Sequence, residues 1–489
     1  MPGGPGLDTA SRARLAVAWA TGFQLFRDLV QFGLTVALVR LLPAEVYGQF
    51  GFLTTLLGFF TLYSFREFLG HTLQVRGDAP VHYQDHFTAG AAVQAAIVLL
   101  INVAALGLRW LPDYAPVAGV LHVMSLLFVV DLPAEFRVRM LERELDWRRL
   151  RLLQAVGFSV GGVMSVALAL AGAGIYALML PMLVAPLPFV HDLLVRARWR
   201  PTWSFSWQRF HPAWAFGWTR IGTVSLVAVA SVVESSWLAG VFGFALLGIF
   251  GRATGLAQLL CGRIAGLLSL SIYPVLTRLD REGDAFKRAG AMYLRSIGWV
   301  VVPLAALTAL LASPIVRVIY GPAWVEAIPL VPLAVAAAAI AAIVQTAYTL
   351  LLASGRQRAC LAADGWRLAG TLMALVAALP AGPLVYLASI CALHAVSLGI
   401  VMTLLRHAGT LSGKAVWLAL GPPVACATLG LAAARLVPGH AAVQAIVFAA
   451  VYGVTVRGLF TTPFAELVRY LPQSRRLYRW LRFSPAATA

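Results

Sequence analysis

A chain of 489 residues that is 60% hydrophobic and only 12% charged falls far below the roughly one-quarter charged content of soluble domains. With a mean hydropathy of +0.81, its exterior cannot be covered by polar groups. The composition therefore excludes a water-soluble globular fold and predicts an all-α polytopic membrane protein. The formal net charge of +18 points away from nucleic acid once its distribution is read. Lys and Arg sit in short stretches between apolar runs, with no basic arm interleaved with aromatics.

In chain order, the first fourteen residues are short and polar. The apolar run after them is too long for a signal peptide and has no small-residue cleavage site, so no cleaved targeting segment is expected. About fourteen apolar stretches are long enough to span a bilayer. They lie near 15–39, 46–65, 87–108, 115–132, 152–171, 174–194, 214–237, 246–272, 292–311, 326–353, 360–379, 382–404, 415–434 and 441–460. A glycine hinge at Gly172 and Gly174 separates the fifth from the sixth.

The arginines alternate with these stretches. Arg137, Arg139, Arg143, Arg148, Arg149 and Arg151 crowd the segment 133–151, followed by Arg196, Arg198, Arg200 and Arg209, then Arg278, Arg281, Lys287 and Arg288. Arg469, Arg475, Arg476, Arg479 and Arg482 fill the C-terminal tail, whereas the opposite loops hold Arg40, Arg109, Arg317 and Arg435. By the positive-inside rule both termini are cytoplasmic, in a bacterial inner membrane. The outward loops are all short, the longest near 312–325, which leaves no room for an outer domain bearing catalytic carboxylates.

Enzymatic signatures are missing as well. No GxxxxGK[ST] phosphate loop, HExxH or GxSxG occurs, so the chain itself hydrolyses no ATP and the reading is not an enzyme. Cys261, Cys360, Cys391 and Cys426 fall singly inside apolar segments, a pattern for buried thiols and not for disulfides or metal. No cofactor is expected.

An internal echo divides the chain. Gly48-Gln49-Phe50-Gly51 and Gly248-Ile249-Phe250-Gly251 lie 200 positions apart. Each follows a long apolar run and a short outer turn. As a repeat, this places helices 1–6 in an N-terminal lobe (1–200) and helices 7–12 in a C-terminal lobe (201–405). Two further helices and a basic tail (406–489) complete the chain.

Four stretches carry a family resemblance. Leu38-Val39-Arg40-Leu41-Leu42-Pro43-Ala44-Glu45-Val46-Tyr47-Gly48-Gln49-Phe50 resembles the first helix-turn-helix of the bacterial oligosaccharide flippases, which handle O-antigen and exopolysaccharide units. They belong to the multidrug/oligosaccharidyl-lipid/polysaccharide superfamily. Ala245-Leu246-Leu247-Gly248-Ile249-Phe250-Gly251-Arg252-Ala253 is similar to their opening of helix 8, and Ile272-Tyr273-Pro274-Val275-Leu276-Thr277-Arg278-Leu279 to its exit. Tyr320-Gly321-Pro322-Ala323-Trp324 with Ala327 resembles the turn before helix 10. Arg66-Glu67 departs from the Asp and small residues common there. The resemblance implies two six-helix lobes and alternating access. It implies an undecaprenyl-diphosphate-linked oligosaccharide as cargo, and a polysaccharide polymerase and chain-length regulator as possible partners beside membrane lipid.

Charges within spans are costly and mark cavities or pairs. Gln24, Arg27, Asp28, Gln31 and Thr35 recur at helical spacing on one face of helix 1. As a cavity wall, this stripe offers the planar donor fork of Arg27 to a diphosphate or sugar carboxylate. As structure, it is an ion pair to a neighbouring helix, since Arg27 and Asp28 do not face each other. Arg220, Thr223, Ser231 and Glu234 form a second stripe on helix 7. Glu234 is either the carboxylate that couples transport to H+ or Na+ or a structural partner of Arg252. Arg263 on helix 8 lies beside Gly255, Gly262 and Gly266 and is a further anion-binding candidate. Asp364 and Arg367 read as a helix pair, and Gln345, His394, Asn102 and His122 as packing. Pro303, Pro329 and Pro332 are candidate kinks.

Two other functions compete with lipid-linked oligosaccharide flipping. A cation-coupled drug exporter of the same superfamily fits the helices, but the basic candidates favour an anionic cargo. A membrane enzyme of polysaccharide assembly needs outer loops that this chain lacks.

Overall fold

In a bilayer, a backbone must satisfy its own hydrogen bonds, so apolar runs of this length fold as helices. The computed structural model describes residues 9–73, 82–197, 199–281, 283–461 and 464, and every regular element among them is helical. The helices are α1 (Thr9–Leu41), α2 (Ala44–Leu62), α3 (Arg66–Leu69), α4 (Tyr83–Leu108), α5 (Ala115–Met124), α6 (Leu126–Arg143), α7 (Trp147–Leu170), α8 (Tyr176–Val184) and α9 (Leu187–Arg196). The chain continues through α10 (Trp207–Ala257), α11 (Arg263–Leu276), α12 (Asp284–Leu310), α13 (Ala312–Ile315), α14 (Val331–Ala353), α15 (Gln357–Ala377), α16 (Pro383–His407), α17 (Gly413–Leu436) and α18 (Ala441–Leu459). The protein is an all-α, multi-pass membrane protein.

Each of the fourteen apolar stretches falls on helix, but they are not fourteen equivalent crossings. Among the described residues, 11 helices are long and apolar enough to cross a membrane. Helices α1 and α2 fall short of that measure, α1 because Gln24, Arg27, Asp28 and Gln31 dilute its apolar run. Two expected crossings merge in the span Val227–Leu276. Within it, Gly243 breaks the helical path at φ 75° and ψ 168°, a conformation that costs glycine little and other residues much.

Two compact units divide the chain after Gly248. In the first, α1 packs along α7, α6 along α9, and α4 along α5 and α6. Its arginine-rich end is sealed by an aromatic core of Phe65, Phe68, Phe136 and Phe210, with Trp199 stacked on Phe136 at 5.5 Å. At the other end, Phe52, Tyr114 and Phe244 meet at centroid separations of 5.4 to 6.0 Å, and the Tyr114 hydroxyl donates to the Ser236 carbonyl at 2.5 Å. In the second unit the alanine-rich α14 is central, packed by α11, α12 and α16, while α17 joins α12 to α18.

Several segments read as loops are helical. Most of 133–151 belongs to α6 and α7, and 312–327 folds as α13, a π-helical turn (Val316–Tyr320) and a 3-10 turn (Pro322–Ala327). Pro303 lies inside α12, whereas Pro332 occupies the first turn of α14. There its missing N–H is no loss, so it starts that helix and does not kink it.

Candidate functional site

Helix α1 carries the polar stripe halfway along a 33-residue helix. Its neighbour α7 covers the side bearing Trp19, Phe23 and Leu34. Arg148 lies over the Trp19 ring and Arg151 over Phe23, and Gly162 faces Leu34. Arg27 follows Phe23 by one helical turn, at the edge of this contact line, and Gln24, Asp28 and Gln31 lie to one side of it. Gln24 is half-buried and donates from Nε2 to both oxygens of Asp28, at 3.0 and 3.1 Å. Gln31 is exposed, with Nε2 at 3.4 Å from Thr35 Oγ1. Arg27 is exposed and has no hydrogen-bond or ion-pair partner among the described residues. The structure thus brings Gln24, Arg27, Asp28 and Gln31 onto one face and leaves a guanidinium there with all five N–H donors available.

The remaining candidates are dispersed. Arg220 lies on α10, and its side chain is outside the described residues. Glu234 is half-buried on α10 and is not without a partner. Arg263 opens α11 directly after a π-helical turn, Gln258–Gly262, and is likewise engaged. A π turn inserts one residue into the helical register and often occurs at functional sites; here it rotates Arg263 relative to the face that an uninterrupted helix would present.

Most other arginines are spoken for. Asp85, 1% exposed, accepts from Arg209 Nη2 at 2.9 Å and from the Ser206 amide at 2.7 Å. The Asp85 carboxylate also holds the Arg209 guanidinium above its usual range. Glu135 accepts from Arg66 Nε at 2.7 Å, with Arg139 3.8 Å away. Burial opposes the charge of Arg66, but Glu135 beside it outweighs that and raises its pKa. Asp192 takes Arg137 Nε at 2.6 Å and Arg149 Nε at 2.9 Å. These clasps tie α3, α4, α6, α7, α9 and α10 together at the arginine-rich end, so those side chains are structural as well as topogenic.

Sequence reasoning missed the interior networks. Asn102, read as packing, donates to the Val98 carbonyl at 2.7 Å and to Ser125 Oγ at 3.1 Å, and its Oδ1 lies 2.6 Å from His122 Nδ1. Asp364 and Arg367 form the expected pair at 3.8 Å, and Tyr348 joins it, donating to Asp364 at 2.7 Å. The cleft beside Tyr348, Arg367 and Ser397 is too narrow to admit a water molecule, so it is a packing gap and no substrate site. Arg295, 8% exposed within α12, stood out by no motif. Its only sequence signal was a charge inside an apolar helix. The described residues hold no group of three or more metal-ligating side chains.

Long apolar helices in two units, with a polar stripe on α1 beside them, define a polytopic membrane protein. A family model described as polysaccharide biosynthesis protein matches residues 37–329, and the chain belongs to that family. It is 25% identical over 255 residues to the succinoglycan biosynthesis transport protein ExoT of Rhizobium meliloti (strain 1021), a match covering 50% of each chain. The likeness thus spans about half the length of that relative. Among solved structures, the lipid II flippase MurJ in its inward closed conformation aligns with a TM-score of 0.68 at 12% identity, over 96% of this chain and 100% of that one. A multidrug resistance MATE family transporter of the MOP superfamily, inward-facing, aligns with 0.57 at 12% identity, over 80% and 98%. The last two show the fold. Family and fold together mark a multi-pass membrane protein of polysaccharide biosynthesis.

Proposed function

We propose that this protein flips a lipid-linked oligosaccharide, carried on undecaprenyl diphosphate, across the bacterial inner membrane by alternating access. The observation that carries the proposal is Arg27, an exposed guanidinium with no partner among the described residues, midway along a membrane-length helix and flanked by Gln24, Asp28 and Gln31. An uncompensated charge at that depth is tolerated only beside water or an anion. A diphosphate supplies the anion, and the amides suit sugar hydroxyls. Names of the relatives agree in kind: ExoT is a transport protein of succinoglycan biosynthesis and MurJ a flippase of lipid II.

In this reading the lobes 1–200 and 201–405 alternate around the head group, with both termini cytoplasmic. Arg220 and Arg263 supply further positive charge from the second lobe, and Glu234 carries the coupling H+ or Na+. A polysaccharide polymerase and a chain-length regulator receive the cargo outside. A cationic drug would be repelled by the same arginines, which sets the exporter alternative apart.

The test is head-group accessibility in proteoliposomes. A polyprenyl-diphosphate oligosaccharide is reconstituted with the protein, and an added impermeant enzyme modifies a terminal sugar. Flipping exposes the inner-leaflet pool in parent vesicles and not in Arg27→Ala vesicles. Equal exposure in both would remove the cavity from the mechanism.

A further inference from the structure

We propose that Arg148 and Arg151, at the start of α7, form a second phosphate-binding subsite, the one at which a lipid-linked diphosphate docks before reaching Arg27. The proposal rests on the flippase reading and deepens it. Both side chains are held by α1. The Arg148 Cζ lies 6.0 Å from the Trp19 ring centroid. That of Arg151 lies 5.7 Å from Phe23 and 5.9 Å from Trp147. A guanidinium resting on an aromatic face keeps its in-plane N–H donors free for a planar or tetrahedral anion.

Three further features point to an anion there. First, the charges are not cancelled by carboxylates. Asp192 is taken by Arg137 and Arg149, Glu135 by Arg66, and Glu142 by Arg139 at 2.7 Å. Glu144 faces Arg137 at 3.7 Å, and Asp146 caps α7 by accepting the Arg149 amide at 3.1 Å. Arg148 has no carboxylate partner among the described residues, and Arg151 Nη1 donates to the neutral Gln154 at 2.7 Å. Second, the Arg151 Nε–H is buried with no acceptor, so the protein itself does not satisfy this guanidinium in full. Third, Arg148 and Arg151 sit in the first turns of α7, where the helix dipole already favours an anion and disfavours cations.

The geometry gives the subsite its place in transport. Trp19 and Arg27 are eight residues apart on α1, a rise of about 12 Å. A phosphate held at the α7 terminus therefore stands about two helical turns short of Arg27, along the face that α1 and α7 share. On the flippase reading this is the cytoplasmic end, the side from which cargo enters.

The experiment uses the full-length protein in phosphatidylcholine nanodiscs, titrated with undecaprenyl diphosphate. The variant Arg148→Gln/Arg151→Gln is expected to bind about tenfold more weakly than the parent, the scale of losing charge-assisted hydrogen bonds. Trp19→Leu/Phe23→Leu, which keeps both charges and removes their platforms, is expected to weaken binding about threefold. Arg148→Lys/Arg151→Lys retains charge without the planar donor fork and should fall between parent and Gln pair; it serves the same purpose if the Gln pair does not fold. Parent-like affinity in the Gln pair, or in the Lys pair in that event, overturns the subsite. If Arg27→Gln loses binding while the pair does not, the subsite fails and the flippase reading stands; if neither does, both fail. Repeating the titration in phosphatidylglycerol nanodiscs identifies the phosphate. Parent affinity that drops to that of the Gln pair shows a subsite open to any lipid phosphate, and unchanged affinity shows selection of the diphosphate.

Discussion

Gly48 and Gly248 lie backbone against backbone. A Cβ built on Gly48 would come 1.8 Å from the carbonyl oxygen of Phe244, and one built on Gly248 would come 1.9 Å from that of Ala44. The leading glycines of the two matching stretches are therefore contact partners, and the side chain that each lacks lets α2 and α10 touch. The Tyr114 hydroxyl on Ser236 and the Phe52–Phe244 edge contact brace the same junction.

Gly48→Ala should therefore destabilise the protein by about 1–3 kcal/mol, the usual scale of an overpacked site that must shift backbone. Gly51→Ala, one turn away with nothing within 4 Å of its Cβ position, should be neutral. Thermal unfolding in detergent, followed by loss of the monodisperse peak, distinguishes them. Equal melting of the two variants would show that the close approach is not maintained in the membrane protein.

Burial was harder to read from sequence than span. Composition and run length placed the long apolar helices, because a bilayer allows little else, but read the helical turns within 133–151 and 312–327 as loops. Helical period placed Gln24, Arg27, Asp28 and Gln31 on one face for the same local reason. What sequence could not supply were partners distant in the chain. Arg137 read as one of many loop arginines, yet it is 3% exposed and meets Asp192, 55 residues away. Asn102 and His122 read as isolated polar residues because their pairing depends on how α4 and α5 cross. The glycine echo was visible, but nothing local says that its copies touch.

The Asp192 cluster offers a second prediction. Asp192→Ala takes from the buried Arg137 its hydrogen-bonded carboxylate and leaves only Glu144 at 3.7 Å, a kind of change that typically costs about 3–5 kcal/mol. Arg149→Gln should cost less, since its side chain is 25% exposed and water shares its charge. Arg137→Met/Asp192→Leu should recover part of the loss by removing both buried charges. Melting temperatures ordered single Asp192 variant, double variant, parent from low to high would support this. A double variant melting below Asp192→Ala would show that the ion pair itself stabilises the fold.

Acid should weaken the aromatic end through His71. Burial lowers this imidazole below its ordinary value of 6.5, so the folded protein favours the neutral ring. The unfolded chain then binds the proton more readily. The stabilisation is complete above the unfolded pKa and is lost as pH falls through the depressed folded value. His71→Gln cannot titrate, and its melting temperature should vary less than that of the parent between about pH 7 and about pH 5. Parallel slopes for the two proteins would exclude His71 as a contributor.

Transport itself should separate charge from geometry at Arg27. Its neighbours Gln24 and Asp28 are joined side chain to side chain at 3.0 Å, which holds the carboxylate one helical position from the guanidinium without neutralising it. If the guanidinium binds a diphosphate as a planar fork, Arg27→Lys keeps the charge and loses the paired donors, and initial flipping rates should fall about tenfold. Arg27→Gln loses both and should fall further. Gln24→Leu should act on affinity instead, because it removes an amide suited to a sugar hydroxyl and keeps the guanidinium. The concentration of lipid-linked substrate needed for half-maximal rate should then rise while the maximal rate holds. Rates for Arg27→Lys equal to the parent would reduce Arg27 to a point charge, and an unchanged half-saturation in Gln24→Leu would show that the Gln24 amide does not hold the cargo.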